Sequence, residues 1–294
     1  MVSEELVNAR ELTLCEAVAE FVHDGDTVAL EGFTHLIPFA AGHEIIRQER
    51  RDLTLVRMTP DIIYDQLIGM GCVKKLIFSW AGNPGAGSLH RFRDAVENSY
   101  PHPLEIEEHS HAGMAARYQA TASGLPFGVL RGYAGTDLSR LSPTIRWITC
   151  PFTGEELAAV PSLSIDVSVI CAQQADRRGN VMMWGITGVQ KEAVLSATRS
   201  VVLVEEVVEE FTPHVNGVVL PSWTIDAVVV VPGGSFPSYS EDYSERANDF
   251  YAQWEGISRD RATFDAWMTT HVLETKNHEE FMASLTVSLA SRHD

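Results

Sequence analysis

Eight consecutive residues, Leu104-Glu105-Ile106-Glu107-Glu108-His109-Ser110-His111, bring three carboxylates and two imidazoles into one short stretch. If Leu104 to Glu108 is extended, side chains alternate. Glu105 and Glu107 then share a face with His109 and His111, while Leu104, Ile106 and Glu108 occupy the other. Closely spaced carboxylates raise one another's pKa and burial adds to the effect, which is how a glutamate becomes a general acid or base near neutral pH. A glutamate nucleophile needs the same positioning. A solvated strand edge has the same composition, and composition alone leaves the two readings level. His109 and His111 form a lone HxH pair with no third ligand at a recognisable spacing, so a metal is not expected.

Two glycine-bearing loops could supply backbone donors. Glu31-Gly32-Phe33-Thr34-His35 follows an aliphatic run, where a loop would face a site, although His35 reads equally as a packing residue. In Ala81-Gly82-Asn83-Pro84-Gly85-Ala86-Gly87-Ser88 the spacing is GxxGxG, neither the dinucleotide fingerprint nor a P-loop, so nucleotide hydrolysis is not expected. Gly82, Asn83, Gly85 and Gly87 still allow close backbone approach and N–H groups aimed at an anion; a plain tight turn would use the same residues. Arg117 and Arg131 flank Gly124-Leu125-Pro126 and could fork onto a carboxylate or phosphate. Asp176-Arg177-Arg178-Gly179-Asn180 reads as a turn after a buried strand.

The elements that must position these groups are legible in outline. Thr13-Leu14-Cys15-Glu16 has the form of a capping box, and Leu14, Val18, Phe21 and Val22 follow at helical spacing until Asp24-Gly25. Short aliphatic runs at Thr27–Leu30, Leu53–Val56, Leu76–Phe78, Val167–Cys171, Val201–Val204 and Val228–Val231 alternate with helix-forming stretches. That rhythm predicts an α/β fold with an open, largely parallel sheet flanked by helices, whose chemistry collects in loops after the strands' carboxyl ends. We expect a single domain over residues 1–294, with 239–294 a C-terminal helical extension packing on the sheet or on a partner.

The 294 residues are 45% hydrophobic and 21% charged, and 40 acidic against 22 basic residues give a net charge of -18. No Lys/Arg-rich run breaks that field, which argues against nucleic acid as a partner. Cys15, Cys72, Cys150 and Cys171 lie far apart, as suits reduced thiols and a cytoplasmic location. Met1-Val2-Ser3-Glu4-Glu5 does not read as a signal peptide, and no apolar run is long enough to span a membrane.

Several segments in collinear order resemble the α subunit of class I CoA-transferases. They are Asp24-Gly25-Asp26-Thr27-Val28-Ala29-Leu30-Glu31-Gly32-Phe33 with Pro38, Leu104-Glu105-Ile106-Glu107, Ala172 to Val181, and Val201 to Glu206. The resemblance covers roughly residues 10 to 235 and implies that family's fold, an acyl-CoA substrate, and a homologous β subunit, in an α2β2 assembly. It also implies a glutamate nucleophile on the β subunit in a Glu-Asn-Gly context, which this chain lacks.

Within the family the loops look closest to the α subunit of actinobacterial steroid ring-cleaving hydrolases, and next to that of glutaconate CoA-transferase. Glu31, Thr34-His35 and His111-Ala112 replace small or neutral groups of the transferase pattern, which argues against simple CoA transfer, and the resemblance to the hydrolases implies an α-chain glutamate at the Leu-Glu-Ile-Glu position, here Glu105, doing the acid/base work. The expectation is therefore hydrolytic carbon–carbon cleavage of a cyclic, steroid-derived acyl-CoA in cholesterol degradation, with Glu105 as the catalytic base. Gly32, Thr34, His35, Gly82, Asn83, Gly85, Gly87 and Arg131 would bind substrate and oxyanion, supported by Glu107, His109 and His111. No cofactor is expected beyond the CoA of the substrate. The alternatives are CoA transfer by a β-chain glutamate and a non-catalytic scaffold.

Overall fold

A computed structural model describes residues 10–290 of the chain; the Met1–Glu5 opening lies outside them. Thr13 caps the first helix, α1 (Leu14–Phe21), as a complete capping box: Glu16 N–H donates to Thr13 Oγ1 at 3.2 Å and Thr13 N–H donates back to Glu16 Oε2 at 2.9 Å. The large sheet takes its strands from along the chain. They are β1 (Arg10–Glu11), β2 (Thr27–Glu31), β3 (Leu53–Val56), β4 (Val73–Phe78) and β5 (Glu105–Glu108). Then β6 (Phe127–Leu130), β7 (Arg146–Thr149) and β8 (Glu156–Pro161) leave it, and β9 (Ile165–Asp176), β10 (Val181–Met183), β11 (Ala197–Val208), β12 (Val218–Leu220) and β13 (Ala227–Val230) return.

The main path runs β1-β13-β11-β9-β2-β3-β4-β5 with parallel neighbours throughout, and β10 and β12 add an antiparallel extension to β9. The expected parallel α/β sheet is what forms. Its inner strands are aliphatic on both faces because both faces are covered; Val28, Ala29 and Leu30 have no exposed surface. The covering helices include α2 (Phe39–Arg47), α3 (Ile62–Gly69), α4 (His90–Asn98), α5 (His111–Ala122) and, after the four-residue α6 (Leu138–Leu141), α7 (Gln190–Ser196). Asp176 accepts from Arg178 N–H and Asn180 N–H, both at 2.9 Å, so the segment read as a turn is one.

Two features depart from the expected rhythm. β6, β8 and β7 form a separate antiparallel sheet, in which β6 and β7 are only four residues long and half-exposed while β8 buries Ala158 to Val160. The terminal helices α8 (Asn248–Arg259), α9 (Arg261–Met268) and α10 (His278–Ala290) lie on other helices, not on the sheet. Trp254 Nε1–H donates to Asp65 Oδ2 of α3 at 2.9 Å, and the Trp254 and Trp267 rings stand 5.3 Å apart with Phe250 and Phe264 around them. That contact explains why α2 and α3 are buried almost throughout. Among the described residues no helix is long and apolar enough to cross a membrane.

A crevice at the carboxyl ends of the strands

The sheet's carboxyl ends open on a crevice of about 310 Å³. Phe33 and Thr34 reach it from the loop after β2, Arg57, Thr59 and Asp61 from the loop after β3, Trp80 and Pro84 from the loop after β4, and His111 from the first turn of α5. Position after parallel strands is the physical reason these residues meet.

The loop after β2 is tightly wound. Thr34 and Leu36 take φ of 59° and 53°, and a Cβ on Gly32 would lie 2.7 Å from Leu36 O, so only glycine fits there. Arg57 donates from Nε and Nη2 to Gly32 O at 3.1 and 2.8 Å, and from Nη1 to Asp61 Oδ1 at 2.9 Å. Both members of that ion pair are buried. Burial pushes the Asp61 carboxyl up and Arg57 offsets part of this. His35, although central to the loop, has no exposed surface: its Nε2 accepts from Glu241 N–H at 2.9 Å, and burial lowers its pKa to about 4. It is not among the residues lining the crevice, and it packs against the Tyr239 ring at 4.6 Å.

The glycine loop supports the crevice more than it faces it. Gly82 N–H donates to Pro60 O, Asn83 N–H to Gly87 O, and Asn83 Nδ2 to Tyr251 O of α8. A Cβ on Gly87 would meet Glu255, whereas Gly85 stands in open space with φ 76°. The donors of Gly82 and Asn83 are thus committed within the protein.

The Leu104–His111 stretch splits between two environments. β5 is the edge strand of the sheet, and alternation places Glu105 and Glu107 together as expected: Lys75 Nζ reaches Glu105 Oε1 at 2.7 Å and Glu107 Oε2 at 3.0 Å. Glu105 is 68% exposed, whereas Glu107 is nearly buried between Lys75, Arg117 and His109. Burial works to raise the Glu107 pKa, but those partners outweigh it and hold the carboxyl well below its ordinary value. His109 is fully buried, with Nε2 3.0 Å from Arg117 Nη1 and 3.2 Å from Thr144 Oγ1, and Nδ1 3.2 Å from Tyr133 Oη. The same Nε2 lies 3.3 Å from Glu107 Oε1, so His109 joins the Glu107–Arg117 pair in one buried polar cluster. His111, two residues on, instead meets Phe33 edge-on at 6.3 Å in the crevice, so the two imidazoles do not share a site.

Arg131 does not join them. It sits just beyond β6, 76% exposed and forked onto Glu155 at 2.8 and 2.9 Å. Conversely, Arg57, Thr59, Asp61 and Trp80 line the crevice and were not singled out from the sequence. The signal was present: a charged pair four residues apart directly after the apolar run Leu53–Val56.

Known proteins share this chain's sequence pattern and its fold. The coenzyme A transferase family pattern matches residues 12–231. The chain is 62% identical over 274 residues to a 3-oxoadipate CoA-transferase subunit of Pseudomonas knackmussii, covering 93% of this chain and 97% of that protein. The glutaconate coenzyme A-transferase structure from Acidaminococcus fermentans superposes with a TM-score of 0.87 at 31% identity, covering 96% of this chain and 94% of the other. A cholesterol ring-cleaving hydrolase subunit of Rhodococcus jostii is 23% identical over 280 residues, 90% of this chain and 92% of that one. The order expected from the loops is thereby reversed. Ring-opening hydrolase or lyase chemistry in cholesterol degradation is overturned by the 62% identity to a transferase subunit.

Proposed function

The chain belongs to the coenzyme A transferase family, and on that premise we propose that it is the α half of a two-subunit enzyme that transfers CoA onto 3-oxoadipate. The observation that carries the substrate is the 62% identity, over 93% of the chain, to a subunit of a 3-oxoadipate CoA-transferase. The crevice is consistent with that role. Among its described lining residues there is no glutamate, and its one carboxylate, Asp61, is tied to Arg57.

A glutamate that takes up CoA as a glutamyl thioester therefore has to come from a homologous β subunit, which closes the crevice in an α2β2 assembly. This chain's part is to hold the acyl group. Phe33 and Trp80 offer apolar walls to the carbon chain, Thr34 and the amides of its turn face the carbonyl oxygen, and His111 at the start of α5 meets the distal carboxylate. CoA enters as part of the substrate, and the reaction needs no other cofactor.

The test is reconstitution with the partner subunit, followed by incubation with an acyl-CoA donor and trapping with hydroxylamine or borohydride. Mass spectrometry should find the adduct on a partner glutamate, and 3-oxoadipyl-CoA should form without stoichiometric release of free CoA. An adduct on this chain, or hydrolysis without transfer, would refute the assignment.

A further inference from the structure

Beneath the crevice lies a carboxyl group that the reaction as proposed leaves unused. Glu31, the last residue of β2, is 2% exposed. Its Oε1 accepts from Tyr118 Oη at 2.7 Å and from Met58 N–H at 3.0 Å, and Gly32 N–H points at its Oε2 from 3.4 Å. Arg57 grips the carbonyl of the same glycine. Gly32 is thus held at both of its polar groups, by β2 on one side and by the loop after β3 on the other. Phe33 and Thr34 ride on that clamp into the crevice, through a turn whose backbone has no slack.

The charged and titratable groups facing Glu31 are Arg57 and Asp61 beyond β3, Tyr64 on α3 and Tyr118 on α5. Burial pushes both phenols well above their ordinary range, so they stay neutral. Arg57 pairs with Asp61 at 2.9 Å, so the pull it exerts on Glu31 is shared with that partner. Asp61 keeps a direct ion pair with Arg57, whereas Glu31 is the carboxyl of this set buried without one. Burial raises its pKa to about 7, against the opposing pull of Arg57, Tyr118 and the two amides. Oε1 takes two donors while Oε2 has only the longer contact from Gly32 N–H, so Oε2 is the oxygen with room for a proton.

Resting on the transferase reading, we infer that Glu31 is a positioning residue: with Arg57 it clamps Gly32, and its proton keeps the crevice floor uncharged so that a substrate carboxylate can enter. Ionised, Glu31 would place a negative charge that Arg57 offsets only in part under an anionic substrate, and a low-dielectric floor screens it poorly. Substrate binding should weaken as Glu31 loses its proton, while the chemical step on the partner's glutamate is affected less.

The experiment measures KM and kcat for 3-oxoadipate from pH 6 to pH 8 in the reconstituted complex, for the natural chain and for Glu31→Gln, which keeps an acceptor in place without the charge. The natural chain should show KM rising about tenfold with pH and kcat changing little; Glu31→Gln should hold the low-pH KM throughout. Should Glu31→Gln not fold, Tyr118→Phe serves instead. Loss of a donor to the ionised form moves the KM rise to higher pH. A pH-independent KM in a complex that does transfer CoA overturns the inference and leaves the transferase reading standing. A complex that transfers nothing to 3-oxoadipate fails the reading, and infrared titration then decides Glu31 by itself. A protonated-carboxyl stretch lost near pH 7 in the natural chain and absent from Glu31→Gln supports the inference, and its absence from the natural chain refutes it.

Discussion

The floor of the crevice and the edge strand β5 are both dense in titratable groups, and they treat those groups in opposite ways. At β5, Glu107, Lys75, Arg117 and His109 consume one another's hydrogen-bonding capacity, and Glu105 completes the set from the solvent side. Under the crevice, Arg57 pairs directly with Asp61, and Glu31 is kept out of water with no direct ion pair of its own. The first arrangement ties an edge strand and α5 together. The second stores a proton at a place where charge matters to a ligand. Density of carboxylates does not distinguish the two; burial and the identity of the neighbours do.

The sharpest break of this comparison is Arg57→Ala. It strands Asp61 as a buried charge and releases Gly32 O, and should cost about 3–5 kcal/mol in urea unfolding, with loss of activity in the complex. A loss below about 1 kcal/mol would mean the crevice floor is far less dependent on the pair than its geometry implies.

The two glutamates should respond to pH with opposite sign. The Glu31 pKa is raised in the fold from 4.5 to about 7, so the natural chain loses stability as pH climbs across that window. Glu31→Gln should remove that loss, gaining up to about 3 kcal/mol at pH 8 and nothing at pH 4. The Glu107 pKa is lowered, so its contribution is present above the ordinary glutamate range and fades as pH falls below it. Glu107→Gln should therefore be least stable, relative to the natural chain, at neutral pH. Chemical denaturation at pH 4, 6 and 8 reads both, and equal signs would dissolve the contrast.

His111→Ala should lower kcat/KM for 3-oxoadipate by about tenfold or more, the scale of a lost hydrogen bond to a charged group, without moving the unfolding midpoint. Glu105→Ala is the smallest effect. An exposed pair to Lys75 is worth less than about 1 kcal/mol, and transfer activity should stay within about twofold. A hundredfold drop on Glu105→Ala would return that residue to the chemistry.

How much could be read beforehand differs by region. The strands β2, β3, β4, β9, β11 and β13 announced themselves because burial on both faces demands unbroken aliphatic runs. The antiparallel sheet of β6, β7 and β8 did not, since β6 and β7 are four residues long and mix exposed with partly covered positions. His109 and His111 looked alike in sequence, yet one lies under α5 and the other opens its first turn towards Phe33.

The sequence by itself determined the parallel α/β sheet, the capped first helix and the pairing of Glu105 with Glu107 on one face. These follow from short-range periodicity and local hydrogen bonding, which neighbours along the chain dictate. Only the tertiary structure decided that Glu31, Arg57, Asp61 and Tyr118 meet beneath one crevice, that His35 is sealed away, and that β5 is an edge. Those outcomes depend on which strands become neighbours and how far water is excluded between them, and spacing along the chain does not encode either.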